Sequence, residues 1–584
     1  MAIELNCTKG HANATEAARI LKERLSEIVG YELKLCVDFI EMDSKGYVLK
    51  LTALQGGDGV RATIGANTTR NFIAGTGGLL ERLLAIAGEE VSDEGSDATF
   101  GIQFGEWEET PELEDRIHYM PGHFGNSFEV CWSGEMQRYL EDLALAGASG
   151  YGDWFDPNDM PDPYHPHVYH SSSMFLWNRK KEWLAISQRL GLDNLLVITP
   201  NIGFVDQMRP EWVGVRDHDK RVQGQVLCPS NPAAREVMMD NQRRLFLDLQ
   251  SAGIHIDKVV FAPYDDGGCA CAKCQPYYPV FLNLVNDVQH VLREFYPQLK
   301  GDICGWWTSA EEREQLQQFI DGPASDWFSS FQFSAAYEVF ELPLNLRSMI
   351  GDRMSLGCFL HIGFSRDRRD VYTKTGVHSA AERIRSVIGS FTSQQCTGFM
   401  TYNESFGDHY NAFVASRLGW KKTADLYQIA TFYGRLILGL RGPSLKKLVD
   451  VLLEMEFLDT SRAASWVNSL EQIKQNVHTH AEQPWAFEHI LVKAQLQKLD
   501  FSIEQKLEKN PVGSNSKTGF SEMEQRLKLS ERLYRHVYGF GVLRHILIPA
   551  RMLPDWYNVY MLYIADSKRK NEGLLQSGIM NAEA

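Results

Sequence analysis

Hydrophobic and polar positions alternate along this chain with two periods, one typical of strands and one typical of helices. Between about residues 113 and 440, eight short apolar runs are each followed by a segment of helical period. The eight runs are IHYM, ASGYGDW, NLLVIT, KVVFAP, DICGWW, DWFSSFQF, SLGCFLHI and TGFMTYN. Strands alternating with helices imply a parallel sheet, and eight such units predict an α/β fold with a (β/α)8 TIM barrel. An open doubly wound sheet is the alternative, although no GxGxxG follows the first run.

The flanking regions follow other patterns. Residues 1–112 contain four strand-like runs and two helix-like segments, which predict a small N-terminal α/β sandwich domain. Residues 441–584 have helical period almost throughout and predict a C-terminal helical region. The barrel is therefore expected to span residues 113–440.

Composition narrows the functional class. The formal net charge of -16, without blocks of Lys and Arg, argues against nucleic acid as a partner. No apolar stretch is long enough to span a membrane, and the N-terminus lacks a signal-peptide pattern. Ten scattered cysteines are not a disulfide framework, so a cytoplasmic, reduced protein is expected. The long helical appendage is compatible with a homo-oligomer.

The ends of the eight runs carry the candidate chemistry, because TIM-barrel enzymes place reactive groups where strands end. Carboxylates follow the fourth and eighth runs, at Asp265, Asp266 and Glu404. A pair of carboxylates on opposite strands suits glycoside hydrolysis, in which one protonates the leaving oxygen and the other attacks or activates water. Glu404 and Asp266 are the preferred pair. Asp265 is the alternative to Asp266, because adjacent strand residues point to opposite faces.

Other polar and aromatic side chains at the same ends are candidates for holding a carbohydrate substrate. They are His123, Asn126, Asp153, Asp156, Asn201, Trp306, Trp307, Gln332, His361, Tyr402 and Asn403. The run YHPHVYH adds His165, His167 and His170, which could bind a metal. Its prolines and tyrosines favour an ordered loop over a substrate cleft, with His170 as a substrate contact.

A CxCxxC run follows the fourth strand-like run. Cys269, Cys271 and Cys274 supply three soft ligands, whereas a tetrahedral zinc site needs four. Cys304 or Cys228 could complete the set. No cofactor is expected to be required for catalysis, and a structural zinc and a packed cluster of reduced thiols remain the two interpretations of this run.

Several segments resemble known glycoside hydrolases. VRATIGANTTRNFIAGTGGLLERLL resembles the small N-terminal domain that precedes the barrel in β-hexosaminidase-like and α-glucuronidase-like enzymes. PYDDGGCACAKC is similar to a strand-end signature of an endo-β-N-acetylglucosaminidase-related family, in which Asp266 and Gly267 match the Asp-Gly pair. TYNESFGDHYN is similar to a strand end of uncharacterised sugar hydrolases, which implies that Glu404 and Asp408 lie in the cleft. The DE pair typical of β-hexosaminidases is replaced by Asp265-Asp266.

The sequence thus predicts a glycosidase that cleaves an oligosaccharide or glycan by carboxylate acid/base catalysis. Two alternatives remain open. One is a metal-dependent barrel hydrolase or lyase, and the other is a carbohydrate-binding barrel without catalytic activity, since barrels host many functions.

Overall fold

The computed structural model describes most of the chain up to residue 509. The described residues are 3–5, 12–27, 34–55, 59–86, 102–122, 128, 131–155, 161–165, 172–215, 226–263, 268–305, 308–335, 347, 354–363, 377, 379–457, 459–509, 525 and 528–529. Two predicted helices, over LPLNLRSMIG and SEMEQRLKLSERLYRHVYGFGVLRHIL, lie largely outside them. Within the described residues, no helix is long and apolar enough to cross a membrane.

The N-terminal part contains a five-stranded sheet of order β1-β2-β4-β3-β5. Its strands are β1 (Ile3–Leu5), β2 (Lys34–Glu41), β3 (Tyr47–Ala53), β4 (Gly59–Ala66) and β5 (Gly105–Glu109). Strands β1, β2 and β4 run parallel, whereas β3 is antiparallel to β4 and β5. Two helices accompany the sheet, α1 (Thr15–Ser26) and α2 (Thr69–Ile86). This arrangement agrees with the α/β unit predicted from the alternating pattern.

Eight parallel strands close into a barrel, which confirms the predicted fold class. They are β6 (Asp115–Tyr119), β7 (Gly150–Asp153), β8 (Asp193–Ile198), β9 (Lys258–Phe261), β10 (Lys300–Cys304), β11 (Phe328–Ala335), β12 (Ser355–His361) and β13 (Cys396–Tyr402). Each strand pairs with the next, and β13 closes the ring by pairing with β6. Each of the eight apolar runs contains one of these strands, so the open-sheet alternative is excluded.

Helices follow the strands in the pattern expected of this fold. Those after barrel strands are α3 (Ser133–Leu145), α4 (Ser172–Arg189), α5 (Pro232–Ser251), α6 (Tyr277–Arg293), α7 (Ala310–Ile320), α8 (Ala381–Gln394) and α9 (His409–Trp420). Local sequence sets several of their starts. In α5 the Asn231 side chain accepts hydrogen bonds from the Ala233 and Ala234 amides, and Pro232 occupies the first turn.

Four further helices complete the described chain. They are α10 (Leu426–Leu438), α11 (Gly442–Glu454), α12 (Ala463–Ile473) and α13 (Trp485–Lys509). Helix α10 ends at Gly439, whose φ of 62° lies in the left-handed region that glycine adopts readily. The predicted domain boundaries at residues 112 and 440 stay a prediction.

The barrel wall has one hydrophobic layer on its inner side and one on its outer side. The inner cluster includes Ile117, Leu195, Val260 and Met400, from four different strands. The outer layer is a much larger core in which the other strand face packs against the helices. This two-sided burial explains why strands such as β8 and β9 contain continuous apolar stretches.

Candidate active site

In each barrel strand, every second side chain points into the barrel. Along β13, Met400 belongs to the inner cluster and Tyr402 packs against it. Between them, Thr401 bonds His118 on the other side of the wall, with an Oγ1···Nδ1 distance of 2.9 Å. Extended two residues beyond the strand, the same alternation predicts an inner position for Glu404, which is 7% exposed.

A short turn fixes the backbone at Glu404. The amides of Glu404 and Ser405 both donate to Asp408 Oδ2, at 2.6 and 3.0 Å. The Ser405 hydroxyl accepts a hydrogen bond from the Gly407 amide at 3.0 Å. Asp408 is completely buried, and it therefore acts on the backbone behind Glu404.

Burial dominates the ionisation of Asp408. It raises the pKa of this carboxyl group to about 8, even though the two amide donors and the charge of Lys493 act in the opposite direction. The negative charge of Glu404 adds to the increase. Asp408 is therefore a neutral acid at physiological pH, in contact with the backbone of the proposed catalytic residue.

Aromatic rings line the inner wall beside Glu404. The Tyr402 ring lies 4.8 Å from the His361 ring and 5.6 Å from the Tyr119 ring. Phe359 lies 5.0 Å from His361 and 5.7 Å from Tyr402. The strand ends of β6, β12 and β13 thus share one aromatic cluster. Such rings offer flat apolar faces to a ligand and polar tips at their edges.

Asp153 lies on the other side of the wall. Its Oδ1 accepts from Lys180 Nζ of α4 at 2.6 Å and from the Trp154 amide at 2.7 Å. Its Oδ2 accepts from the Tyr151 hydroxyl at 2.8 Å. Asp153 and Lys180 are 0% and 3% exposed. The neighbouring Trp154 belongs to the inner cluster instead.

Three predicted amide side chains also have protein partners. Asn201 Nδ2 donates to the carbonyls of Leu227 and Gly268, at 3.2 and 3.1 Å. Gln332 Nε2 donates to Asp302 Oδ2 at 2.7 Å, below the rim. Asn403 Oδ1 accepts from Thr401 Oγ1 at 2.6 Å, on the outer face. Their donor or acceptor groups thus stabilise strands and loops in this structure.

Several predicted residues lie outside the described residues. These are the carboxylates Asp265 and Asp266 and the candidate sugar contacts His123, Asn126, Asp156, His170, Trp306 and Trp307. His167 is also outside. Among the predicted residues that it describes, the structure brings Tyr402 and His361 together at the inner rim, and Glu404 follows Tyr402 by two residues.

A cluster of four thiols lies beside this rim. Cys228, Cys269, Cys271 and Cys274 have sulfur atoms that all lie within 4.8 Å of one another. Cys228 Sγ lies 3.7 Å from the sulfurs of both Cys271 and Cys274. Of the two proposed fourth members of the CxCxxC group, the structure thus brings in Cys228. Cys304 belongs to the inner barrel cluster.

Three aromatic residues of the inner rim, Tyr119, Trp154 and Phe359, are not among the site residues predicted from the sequence. Those predictions rest on polar residues that follow each strand, whichever face of the strand they continue. Strand alternation was the available signal, since Ile117 and Tyr119 share one face of β6 and Phe359 and His361 share one face of β12.

Known proteins resemble this chain in fold. No protein-family model and no curated protein matches the sequence. The solved structures that match it include glycoside hydrolases, at sequence identities that establish similarity of fold alone. The resemblance to glycoside hydrolases predicted from sequence motifs is thus confirmed at the level of the fold.

Three glycoside hydrolase structures illustrate this similarity of fold. A GH138 enzyme targeting the pectin rhamnogalacturonan II is 8% identical, with a TM-score of 0.56 over 92% of this chain and 73% of its own. A family 89 glycoside hydrolase from Clostridium perfringens, in complex with PUGNAc, is 11% identical, with a TM-score of 0.59 over 90% of this chain. A second family 89 structure from that organism contains its substrate GlcNAc-α-1,4-galactose, with a TM-score of 0.56 at 11% identity. The match covers 66% and 65% of these two family 89 chains.

Proposed function

We propose that this protein is a glycoside hydrolase that cleaves glycosidic bonds of an oligosaccharide or glycan at the carboxyl end of its barrel. The observation that carries the proposal is Glu404, a buried carboxylate on the inner side of the β13 end, whose backbone is fixed by Asp408. Catalytic groups of TIM-barrel enzymes occupy this position.

The second carboxylate is proposed to be Asp266, with Asp265 as the alternative. Strands β9 and β13 are separated by three strands in either direction around the closed ring, so they lie on opposite walls. In β9, Val260 belongs to the inner cluster and Ala262 packs against it. Asp266 is preferred to Asp265 because Asp266 and Gly267 match the Asp-Gly pair of the similar strand-end signature. Two carboxylates on opposite walls could flank a glycosidic bond.

In this mechanism one carboxyl group protonates the leaving oxygen as the glycosidic bond breaks. The other carboxylate either attacks the anomeric carbon or removes a proton from the attacking water. Carboxyl groups about 5 Å apart give retention, and groups about 6.5–9.5 Å apart leave room for water and give inversion. The aromatic cluster at Tyr402 and His361 is proposed to contact the sugar. The loop residues predicted from the sequence are proposed to bind its hydroxyl groups.

The test is a screen of the purified protein on aryl glycosides and natural oligosaccharides. α-Linked N-acetylglucosaminides and rhamnogalacturonan fragments belong in the panel. One enzyme of similar fold targets rhamnogalacturonan II, and another has GlcNAc-α-1,4-galactose as its substrate. Glu404→Gln, Asp266→Asn and Asp265→Asn are assayed beside the wild type. Glu314→Gln, at an exposed position of α7, is the matched control.

Release of a sugar by the wild type and the control, lost at least about a hundredfold in Glu404→Gln and Asp266→Asn, would support the proposal. Activity that survives in Glu404→Gln would contradict it, because the acid and base would then lie elsewhere. Binding of a glycan without turnover, unaffected by Glu404→Gln, would favour the carbohydrate-binding alternative. Loss of turnover with a chelator, restored by a divalent cation, would favour the metal-dependent alternative. Proton NMR of the first product then distinguishes retention from inversion.

A further inference from the structure

We propose that Cys228, Cys269, Cys271 and Cys274 bind one structural Zn²⁺ ion that joins two loops of the barrel rim. Cys228 belongs to the connection between β8 and α5, and the other three cysteines belong to the connection between β9 and α6. This assignment concerns the stability of the fold and does not depend on the proposed glycosidase activity.

The spacing of the sulfurs fits tetrahedral coordination. With Zn–S bonds of about 2.3 Å, the sulfurs of a regular tetrahedron lie about 3.8 Å apart. Cys228 Sγ lies 3.7 Å from Cys271 Sγ and from Cys274 Sγ, and all four sulfurs lie within 4.8 Å of one another. A disulfide would need a separation of about 2.05 Å, so the four sulfurs are not paired as disulfides, and their spacing matches that of ligands around one ion.

The chemistry of the donors fits zinc. Four thiolates are soft ligands, and a tetrahedral set of four sulfurs is typical of Zn²⁺ or of iron–sulfur centres. Four protein ligands leave no open position for water or substrate, which defines a structural site. Cys269 and Cys274 are 1% and 0% exposed, whereas Cys228 and Cys271 are partly exposed. The cluster is thus closed on one side and open to ion entry on the other.

Groups around the cluster are placed to stabilise thiolates. The Val215 amide donates to Cys269 Sγ at 3.4 Å, and the Ser230 hydroxyl lies 3.0 Å from Cys274 Sγ. Hydrogen bonds to coordinating atoms orient the ligands and tune the metal site. Both partners come from the same β8–α5 connection as Cys228, so the two loops meet through several bonds around the sulfurs.

The backbone beside the cluster is fixed as well. Asn201 Nδ2 bonds the carbonyls of Leu227 and Gly268, each directly before a cysteine of the cluster. Gly268 has φ 116°, a conformation that residues with a side chain rarely adopt. The Ala270 amide donates to the Val215 carbonyl at 2.7 Å. The ion would therefore hold the chain at Gly268, shortly after the end of β9.

The experiment measures metal directly. The full-length protein is purified under reducing conditions without chelators, and its metals are quantified by mass spectrometry of the digested sample. The expected result is about one zinc per chain, as a single site with four cysteine ligands requires. Cys228→Ser and Cys271→Ser are expected to lose most of it. Cys304→Ser, the cysteine that the structure leaves outside the cluster, is the control and is expected to keep it.

A second measurement covers the case in which the variants do not fold. Zinc is removed from the wild type with a mercurial reagent and a chelator, and Co²⁺ is then titrated into the reduced protein. One equivalent of cobalt with the absorption of a tetrahedral thiolate complex would support the site. Folded wild type without zinc that binds no cobalt would overturn the proposal. Stoichiometric iron, or two disulfides among these four cysteines found by alkylation, would also overturn it.

Discussion

At the scale of single residues, Asp153 is a tightly held carboxylate. Lys180, Tyr151 and the Trp154 amide all donate to it, and it has no exposed surface. A carboxylate saturated in this way stabilises the junction of β7 with α4. Its position directly after an apolar run had suggested a sugar ligand, because the sequence does not show which face a four-residue strand presents at its end.

Removing the charge of Lys180 should therefore destabilise the fold. Lys180→Met leaves Asp153 buried without its cation, at an expected cost of about 3–5 kcal/mol in unfolding free energy. The double variant Lys180→Met/Asp153→Asn should recover part of that loss. The free energies are measured by urea denaturation. Lys181→Met, which breaks a more exposed pair with Asp248, is the control with a smaller expected cost. A raised KM in Asp153→Asn with unchanged stability would instead make Asp153 a substrate ligand.

Asp408 shows how an acidic residue can serve the site through the backbone. The two amide hydrogen bonds that it accepts hold the turn at Glu404. In Asp408→Asn, the new side chain keeps an oxygen acceptor of the same size and carries no charge. The Asp408 carboxyl group, in contrast, is neutral only when it is protonated.

The raised pKa of Asp408 has a defined consequence for stability. The folded protein keeps a proton on this group up to about pH 8, whereas the unfolded chain releases it near the ordinary value of 3.8. The unfolded state thus binds fewer protons between these values, and stability falls as the pH rises through this window. Asp408→Asn removes this dependence. Relative to wild type, its unfolding free energy should increase by on the order of 1–3 kcal/mol from pH 5 to pH 7.

Urea denaturation at the two pH values checks this expectation. Asp425→Asn is the matched control, since Asp425 also accepts an amide hydrogen bond at a helix start but is exposed. A stability difference between Asp408→Asn and wild type that is the same at both pH values would contradict a neutral Asp408 in the folded protein.

At the scale of elements, the strands were the most predictable part of the molecule. Each barrel strand overlaps one of the eight predicted runs and has buried residues on both faces. Contacts between loops were not predictable, because they depend on chain geometry far from the local pattern. The choice of Cys228 over Cys304 is an example, since both are isolated cysteines and only the folded loops distinguish them.

The closing pair of the barrel depends on a glycine. A Cβ atom at Gly398 of β13 would overlap the Asp115 carbonyl oxygen of β6, because the two backbones approach too closely for any added carbon. Gly398→Ala should therefore separate the two strands and cost about 1–3 kcal/mol. Gly389→Ala is the control, because Gly389 lies on the exposed side of α8 with nothing within 4 Å of the added Cβ.

Alanine is the better helix former, so Gly389→Ala should be neutral or more stable by up to about 1 kcal/mol. Thermal and urea unfolding of both variants make the comparison. Equal stability of Gly398→Ala and wild type would mean that the contact between β6 and β13 is looser than the structure shows.

At the scale of the whole molecule, Asp142 joins parts of the chain that lie far apart in sequence. It lies 2.9 Å from Arg24 Nη2 of α1 and 3.3 Å from His409 Nε2 of α9. Its Oδ2 also accepts from Gln483 Nε2 at 2.7 Å. Burial by itself would raise the pKa of Asp142, but the charge of Arg24 and the contact with His409 lower it below the ordinary value. The ionised carboxylate thus links all three predicted regions.

Replacing Asp142 should weaken all three regions together. Asp142→Ala leaves the buried Arg24 without its 2.9 Å partner and with the longer contact to Glu141, at an expected cost of about 3 kcal/mol or more. Thermal unfolding is expected to remain a single transition at a lower temperature. Glu106→Ala, which breaks an exposed pair with Lys50, is the control with an expected cost of at most about 1 kcal/mol. An unchanged midpoint in Asp142→Ala, or separate transitions in the wild type, would contradict this role.

The Asp142 network also limits how this protein can recombine with its relatives. A chimaera that takes its N-terminal region from another barrel enzyme would place a foreign side chain opposite Asp142. A junction near residue 112 separates Arg24 from its partner Asp142. A stable chimaera therefore requires that α1, α3 and the segment around Gln483 all come from the same protein.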